Sequence, residues 1–384
     1  MIVGSFRIQE HAFHAPSDPR EDGAFWVRSV PRPYRVEFPE GNSPGILVAD
    51  LAQAARHPLL LVDRKVAQIH LDGHPQLGAL PRFVVDANER AKSIVTVLEI
   101  VEFLEANRAT RTTALFVVGG GIVQDLGAFA AYLYKRGLPW TFVATTLLAQ
   151  GDSGIGGKTA LNHKNTKNLL ALFSAPRKVV IDLGFIDTLG EDDVLSGMGE
   201  IYRLHVTGGE EFLAGFEEQF PRFRAGSRDA LRRLIVGALS VKRAVVEEDE
   251  FELDLRRSLN YGHSFGHALE ALVDFRIPHG IAVTIGMLVE NEVSVRRGLL
   301  SQGQRDRLLR CGSPLVPDAS RRVLASVRLD EILDLLRRDK KTEGNTLKLV
   351  VPESIGQIRF IDLELDLPTV ELLKGSLHAV LDAL

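Results

Sequence analysis

The stretch ALFVVGGGIVQDLGAFAAYLYKRGLPWTFVATT, residues 114–146, decides the fold. It opens with an unbroken apolar run that enters a glycine triplet. Ile122–Tyr134 then repeats its apolar residues at helical spacing, and WTFVATT at 140–146 is a second strand. A strand without polar alternation is buried on both faces, as in a parallel sheet covered by helices. The pattern extends outward. YRVEF at 34–38 alternates, LLLVD at 59–63 and FVVDA at 83–87 are short buried strands, Ser93–Ala106 is helical, and KVVIDL at 178–183 adds a strand. This predicts an α/β protein whose residues 31–185 form a Rossmann-like parallel-sheet domain of the nucleotide-binding class. Beyond it, Glu191–Tyr202, Asp229–Glu248, Tyr261–Val273, Ile281–Arg297 and Arg305–Arg310 carry helical patterns, and LKLVVPESIGQIRFI reads as a short hairpin. Residues 186–384 are therefore expected to be a mainly helical domain. Residues 1–30, interrupted by Pro16, Pro19, Gly23 and alternating charges, are expected to be an extension of low order.

The formal net charge of -4 over 384 residues gives no global attraction to nucleic acid or anionic membrane, so any phosphate or carboxylate binding must be local. Cys311 is the single cysteine, which excludes an internal disulfide framework and a Cys-rich zinc site and fits a reducing cytoplasm. A metal would have to sit on histidine and carboxylate. The N-terminus lacks the apolar core of a secretory signal, and no apolar run reaches the roughly 18 residues of a membrane helix.

Four features carry chemistry. Gly119, Gly120 and Gly121 stand where a strand becomes a helix, so backbone N–H groups could meet a pyrophosphate there; a tight turn explains the triplet equally well. Asp63, ending an earlier strand, is placed either to accept ribose hydroxyls or to face solvent. GDSGIGGKTALNHKNTKN at 151–168 reads as a loop of exposed backbone with Lys158, Lys167 and Asn168 as fixed donors, suited to an anion; it fits no Walker A frame. HSFGH sets His263 and His267 four apart on one helical face, with His279 downstream and Glu200 upstream; two histidines and a carboxylate with an open position make a catalytic metal site, although the spacing alone is common. Arg136, Arg203, Lys242, Arg256 and the pair Lys340 and Lys341 are basic residues of the kind that usually lie on a solvated helix face.

VVGGGIVQDLGAFAA, KRGLPWTFVATTLLAQGDSGIGGKTALNHKNTKN, SGMGEIYR, VKRAVVEEDE, RRSLNYGHSFGHALEA, IPHGIAVTIGM and RRDKKTEG occur in one order, and together they resemble the 3-dehydroquinate synthase family of sugar-phosphate cyclases over about residues 34–360. The resemblance implies NAD and a divalent metal, zinc or cobalt, the metal held by Glu200, His263 and His279. It places NAD on Gly119, Gly120 and Gly121 with Glu89, Lys92, Asp125, Thr145, Thr146 and Lys167. It assigns a small sugar phosphate to Asp152, Lys158, Asn168, Arg203, Lys242, Arg256, Asn260, His267 and Lys340, with Arg136 reaching the phosphate across a homodimer. The implied reaction is transient oxidation by NAD, loss of phosphate, reduction and intramolecular aldol closure, a lyase chemistry that leaves the cofactor as it began.

Lys242 and Arg256 match the pair that takes a substrate carboxylate in the dehydroquinate branch, which favours a substrate like 3-deoxy-arabino-heptulosonate 7-phosphate. Four departures from the family pattern stand against a closed choice: Arg203 for lysine in EIYR, Ile281 for an acid in HGIAV, Gln124 for glycine in GGGIVQD, and the N-terminal extension. Cyclases making aminodehydroquinate, 2-epi-5-epi-valiolone or 2-deoxy-scyllo-inosose are the alternatives, and a metal-dependent polyol dehydrogenase is a further one. Intact Glu200, His263 and His279 argue against a non-catalytic binding protein.

Overall fold

The computed structural model of the protein describes residues 4–15, 24–30, 32–39, 41, 43–164, 166–338, 342–343 and 345–384. The chain divides into two compact units, one made of Met1–Ser17 with Gly190–Leu384 and the other of Asp18–Leu189. The first residues differ from expectation. Gly4–Ile8 (β1) and His11–Ala15 (β2) form an antiparallel hairpin, with Phe6, Ile8, Phe13 and Ala15 buried. Its alternation of apolar and polar residues is the strand period, and this outweighs the charges between them.

The central unit contains a seven-stranded sheet, built from Phe25–Val27 (β3), Tyr34–Glu37 (β4), Pro58–Asp63 (β5), Arg82–Val85 (β6), Ala114–Gly119 (β7), Trp140–Ala144 (β8) and Lys178–Ile181 (β11), in the order β3-β4-β11-β8-β7-β5-β6. All neighbours run parallel except the edge pair β3 and β4. The chain passes from β5 outward to β6 and returns to the other side of β5 as β7, so the winding reverses between β5 and β7. In such sheets, ligands bind beyond the carboxyl ends of the strands that flank the reversal. Those ends are Asp63 and Gly119. Helices α1 (Pro44–Gln53), α2 (Arg64–Val66), α3 (Ile94–Ala106) and α4 (Gly121–Leu133) connect the strands, and Leu47, Val48, Val62, Val118, Val143 and Phe185 share one core.

The second half of the stretch read as a loop at 151–168 belongs to a two-stranded arm, Lys158–His163 (β9) against Thr166–Phe173 (β10). Backbone pairing holds it, with Thr159 and Leu161 as its buried residues, so its polar composition concealed a strand.

In the other unit, α5 (Glu191–Gly208), α6 (Glu210–Arg224) and α7 (Arg228–Glu248) precede a tight helical turn at Leu255–Asn260. Then come α8 (His263–Leu272), α9 (His279–Arg296), α10 (Gln302–Gly312), α11 (Asp318–Ala325) and α12 (Leu329–Arg338). Thr342–Glu343 (β12), Thr346–Ser354 (β13) and Gln357–Glu364 (β14) pair with the N-terminal hairpin in the order β12-β13-β14-β1-β2, before α13 (Leu367–Ala383) closes the chain. Among the described residues, no helix is long and apolar enough to cross a membrane.

Candidate active site

Glu200, His263 and His279 are remote in sequence, and glycines bring them together. On α5, a Cβ at Gly199 would stand 2.2 Å from the carbonyl oxygen of Gly280, and on α9 a Cβ at Gly280 would stand 1.8 Å from that of Ser196. Only glycine permits this crossing, and each glycine adjoins one of the three residues. The contact of α8 with α9 has the same character, since a Cβ at Gly286 would fall 2.0 Å from the Gly262 carbonyl oxygen, next to His263. Backbones packed this closely leave the helices little room to shift against each other.

The rings of His263, His267 and His279 lie 5.2–5.7 Å apart between centroids. Their ligand nitrogens all fall within 4.8 Å of one another. Glu200 Oε1 is buried 3.2 Å from Nε2 of His279 and 3.5 Å from Nε2 of His263, yet out of line for a hydrogen bond. Two donors each about 2.1 Å from a tetrahedral zinc stand about 3.4 Å apart. Glu200, His263 and His279 therefore have the spacing of a metal's donor set, with His267 beside them on the more exposed side.

Burial opposes ionisation of Glu200, but the charge of Arg203, joined by that of His279, outweighs it and holds the carboxyl well below the usual carboxylate range. Burial drives the His263 pKa far down despite Glu200, so that ring is neutral and its nitrogen is available as a donor. Burial also acts to lower His279, but Glu200 and Glu270 overcome it and hold the pKa up at about 10. A metal at this site would take the place of the His279 Nε2 proton. Each member of the set also has an outer partner. Glu200 Oε2 is 2.7 Å from Arg203 Nε, His279 Nδ1 is 2.9 Å from Glu270 Oε2, and His263 Nδ1 is 3.2 Å from the Tyr261 carbonyl oxygen.

The same unit holds Lys242, on α7, and Arg256, both buried. Asp249 folds the loop before Arg256 by accepting from the N–H groups of Leu253, Asp254 and Arg256, and an Arg256 Nη1–H donates to the Glu250 carbonyl. Asn260 reaches Glu252 at 3.4 Å. Lys340 lies outside the described residues.

In the sheet unit, a Cβ at Gly119 would meet Val123 at 2.7 Å and one at Gly120 would meet Thr146 at 2.8 Å, so packing already requires these two glycines. Gly121 has only ordinary contact, 3.7 Å to Ser153 Oγ, which leaves room at the start of α4. Thr145 is buried and donates its N–H to the Gly119 carbonyl, while Thr146 Oγ1 accepts from the Ala149 N–H. Asp63 caps the turn that follows it, accepting from the N–H groups of Lys65 and Val66. Lys92 Nζ bridges Asp125 at 2.6 Å and Asn168 Oδ1 at 2.8 Å. Asn168 N–H donates to Asn162, whose amide donates in turn to Glu89, and Lys167 lies 3.8 Å from Glu89. Asn168, expected with the substrate set, thus joins Glu89, Lys92, Asp125 and Lys167. Asp152 lies in a wide turn, Ala149–Ser153, that Gln124 ties to α4: its amide donates to the Ser153 carbonyl at 3.0 Å and accepts from Ser153 Oγ. Lys158 and Arg136 are exposed, the latter at φ 65°.

Asn162, Gln124 and Glu270 were not among the expected site residues. Glu270 had a signal, since it stands seven residues after His263 on the helical face of HSFGH.

Residues 82–196 match the family described as 3-dehydroquinate synthase N-terminal, and residues 197–342 the one described as 3-dehydroquinate synthase C-terminal. The chain belongs to the 3-dehydroquinate synthase family. A 3-dehydroquinate synthase of Laribacter hongkongensis is 37% identical over 338 residues, 85% of this chain and 91% of the relative. Among solved structures, a 2-deoxy-scyllo-inosose synthase complexed with carbaglucose-6-phosphate, NAD+ and Co2+ superposes with a TM-score of 0.76 over 94% of this chain and 100% of that one, at 20% identity. A 2-epi-5-epi-valiolone synthase of Streptomyces hygroscopicus subsp. jinggangensis 5008, with NAD+ and Zn2+ bound, gives 0.74 at 25% identity, over 91% of this chain and 97% of that one. The protein is a cyclase of this family, with the fold of the sugar-phosphate cyclases.

Proposed function

We propose that this family member closes a phosphorylated keto-sugar acid, of the 3-deoxy-arabino-heptulosonate 7-phosphate type, into a carbocycle such as 3-dehydroquinate with release of phosphate. The observation that carries the reading is the presence of two buried cations, Lys242 and Arg256, in the unit that gathers Glu200, His263 and His279. The two stand at the positions of the family's carboxylate-binding pair, and a substrate carboxylate is an anion that a sugar phosphate without an acid group lacks. Glu200, His263 and His279 would hold zinc or cobalt, and the strand end at Gly119, Gly120 and Gly121 with Glu89, Lys92, Asp125 and Lys167 would hold NAD. When bound, these groups supply polarisation of a substrate oxygen and reversible oxidation of a ring hydroxyl.

The chain's own residues would do the rest. Lys242 and Arg256 orient the carboxylate, and Asn260 holds a hydroxyl. His267, the most exposed histidine of the cluster, would handle a proton as phosphate leaves. Asp152, Lys158 and Arg136 would serve the phosphate end, Arg136 in a second copy of the chain. The protein should act in a reducing cytoplasm as a homodimer.

The test is incubation of the NAD- and zinc-loaded protein with the heptulosonate phosphate, sedoheptulose 7-phosphate and glucose 6-phosphate, following phosphate and the carbocyclic product. Turnover of the acid without net NADH is expected. Net NADH would indicate a polyol dehydrogenase, and a higher kcat/KM on sedoheptulose 7-phosphate would move the enzyme to another branch. Arg256→Ala should lower turnover of the acid by well over tenfold, because it strands a desolvated carboxylate, a loss of about 2–5 kcal/mol. An equal loss on sedoheptulose 7-phosphate, which has no carboxylate, would refute the clamp.

A further inference from the structure

His263, His267 and Glu270 occupy positions i, i+4 and i+7 of α8, one helical face. The face therefore ends on a carboxylate rather than a third imidazole. Glu270 is only 8% exposed, and its Oε2 meets Nδ1 of His279 at 2.9 Å. An ionised carboxylate can only accept, so the contact makes Nδ1 the donor and leaves Nε2 as the nitrogen facing Glu200 Oε1. The corresponding acceptor for His263 is a neutral carbonyl, that of Tyr261, at the longer distance of 3.2 Å. The cluster thus presents two histidine nitrogens to one carboxylate oxygen, and one of the two rings has a full negative charge behind it.

We propose that Glu270 is a positioning residue of the metal centre: it fixes the tautomer and orientation of His279 and strengthens Nε2 as a donor, so that affinity for a divalent ion depends on it. This rests on the metal reading above. A merely structural ion pair is the competing explanation, and the two differ in what they predict. A structural pair would change the stability of the metal-free protein and leave its affinity for metal alone. A positioning carboxylate changes the affinity and the ligand field, because a ring with a neutral partner is a weaker donor and can rotate or adopt the other tautomer.

The experiment is a calorimetric titration of metal-free full-length protein with Co2+, together with the visible absorption of the bound ion, for the parent, Glu270→Gln and Glu270→Ala. Glutamine keeps the shape and removes the charge, so it guards against a folding defect, which the melting curve of the metal-free protein reports separately. Affinity should fall about tenfold in Glu270→Gln and up to about 100-fold in Glu270→Ala, with a shift of the absorption bands in both. Co2+ affinity within about twofold of the parent in both variants, with unchanged spectra, would overturn the proposal while leaving the metal site standing. Failure of the parent to bind one Co2+ would overturn the metal reading and this proposal with it.

Discussion

Arg203 and Glu200 form a buried ion pair one helical turn apart, with side chains 2% and 1% exposed. Replacing Arg203 with methionine keeps the volume and removes the partner of a buried carboxylate, a change that destabilises by about 3–5 kcal/mol. Because His263 and His279 also face Glu200, the lower end of that range is expected here. In a unit of about 200 residues each kcal/mol moves the midpoint by about 2–4 °C, so Arg203→Met should melt about 6–12 °C below the parent in chelator. Excess zinc changes the comparison. A metal on Glu200 Oε1 supplies the cation that the variant lacks, so the deficit should shrink by at least about 1.4 kcal/mol on loading. By linkage the variant should then bind zinc about tenfold more tightly than the parent. Thermal denaturation with chelator and with zinc, set beside direct zinc titration, measures both sides of the cycle. The reasoning fails if the deficit is the same in the two conditions and the zinc affinities are equal.

Burial pushes the Asp125 carboxyl up to about 6 against the opposing pull of Lys92 and the Ala160 N–H. A folded pKa above the ordinary value means the folded state takes up the proton more readily. The group's contribution to stability is then fullest below about pH 4 and declines as pH rises to about 6. Asp125→Asn should accordingly gain stability relative to the parent across that window, by up to about 3 kcal/mol, as read from urea midpoints; a flat difference would show that Lys92 keeps the carboxyl ionised throughout. Gln124→Ala should lower stability by about 1–3 kcal/mol in chemical denaturation, because it removes the buried amide that bonds both the carbonyl and the hydroxyl of Ser153. No loss would show that the bracket is dispensable.

The central sheet was legible because β5, β7, β8 and β11 are short runs that are mostly apolar and do not alternate, a composition that burial on both faces demands. β9 and the start of β10 were not, since polar residues dominate there and their stability lies in pairing with each other and in the Lys92–Asp125–Asn168 contacts. At the metal cluster the residue types were readable but their meeting was not. Glu200 reaches His279 only because Gly199 and Gly280 let two helices touch, and a glycine in a helix announces a close approach without naming its partner. Gln124 and Arg203 stood out as departures from the family pattern, and the structure gives each a bonded role, with Ser153 and with Glu200.

β1 pairs in parallel with β14, joining Arg7 to Gln357 and Ile8 to Ile358. The whole seven-stranded unit lies between them in sequence, so the hairpin must wait unpaired through the synthesis of some 340 residues. Closing so long a loop is slow, because its entropy is lost before any contact repays it. The sheet unit, continuous in sequence, can fold while the ribosome is still at work, whereas the metal-bearing unit completes its sheet only after β14 has emerged. Maturation of this enzyme should therefore be limited by its second unit, and a stalled or truncated chain would leave a folded nucleotide domain trailing an unpaired apolar strand, the kind of edge that aggregates.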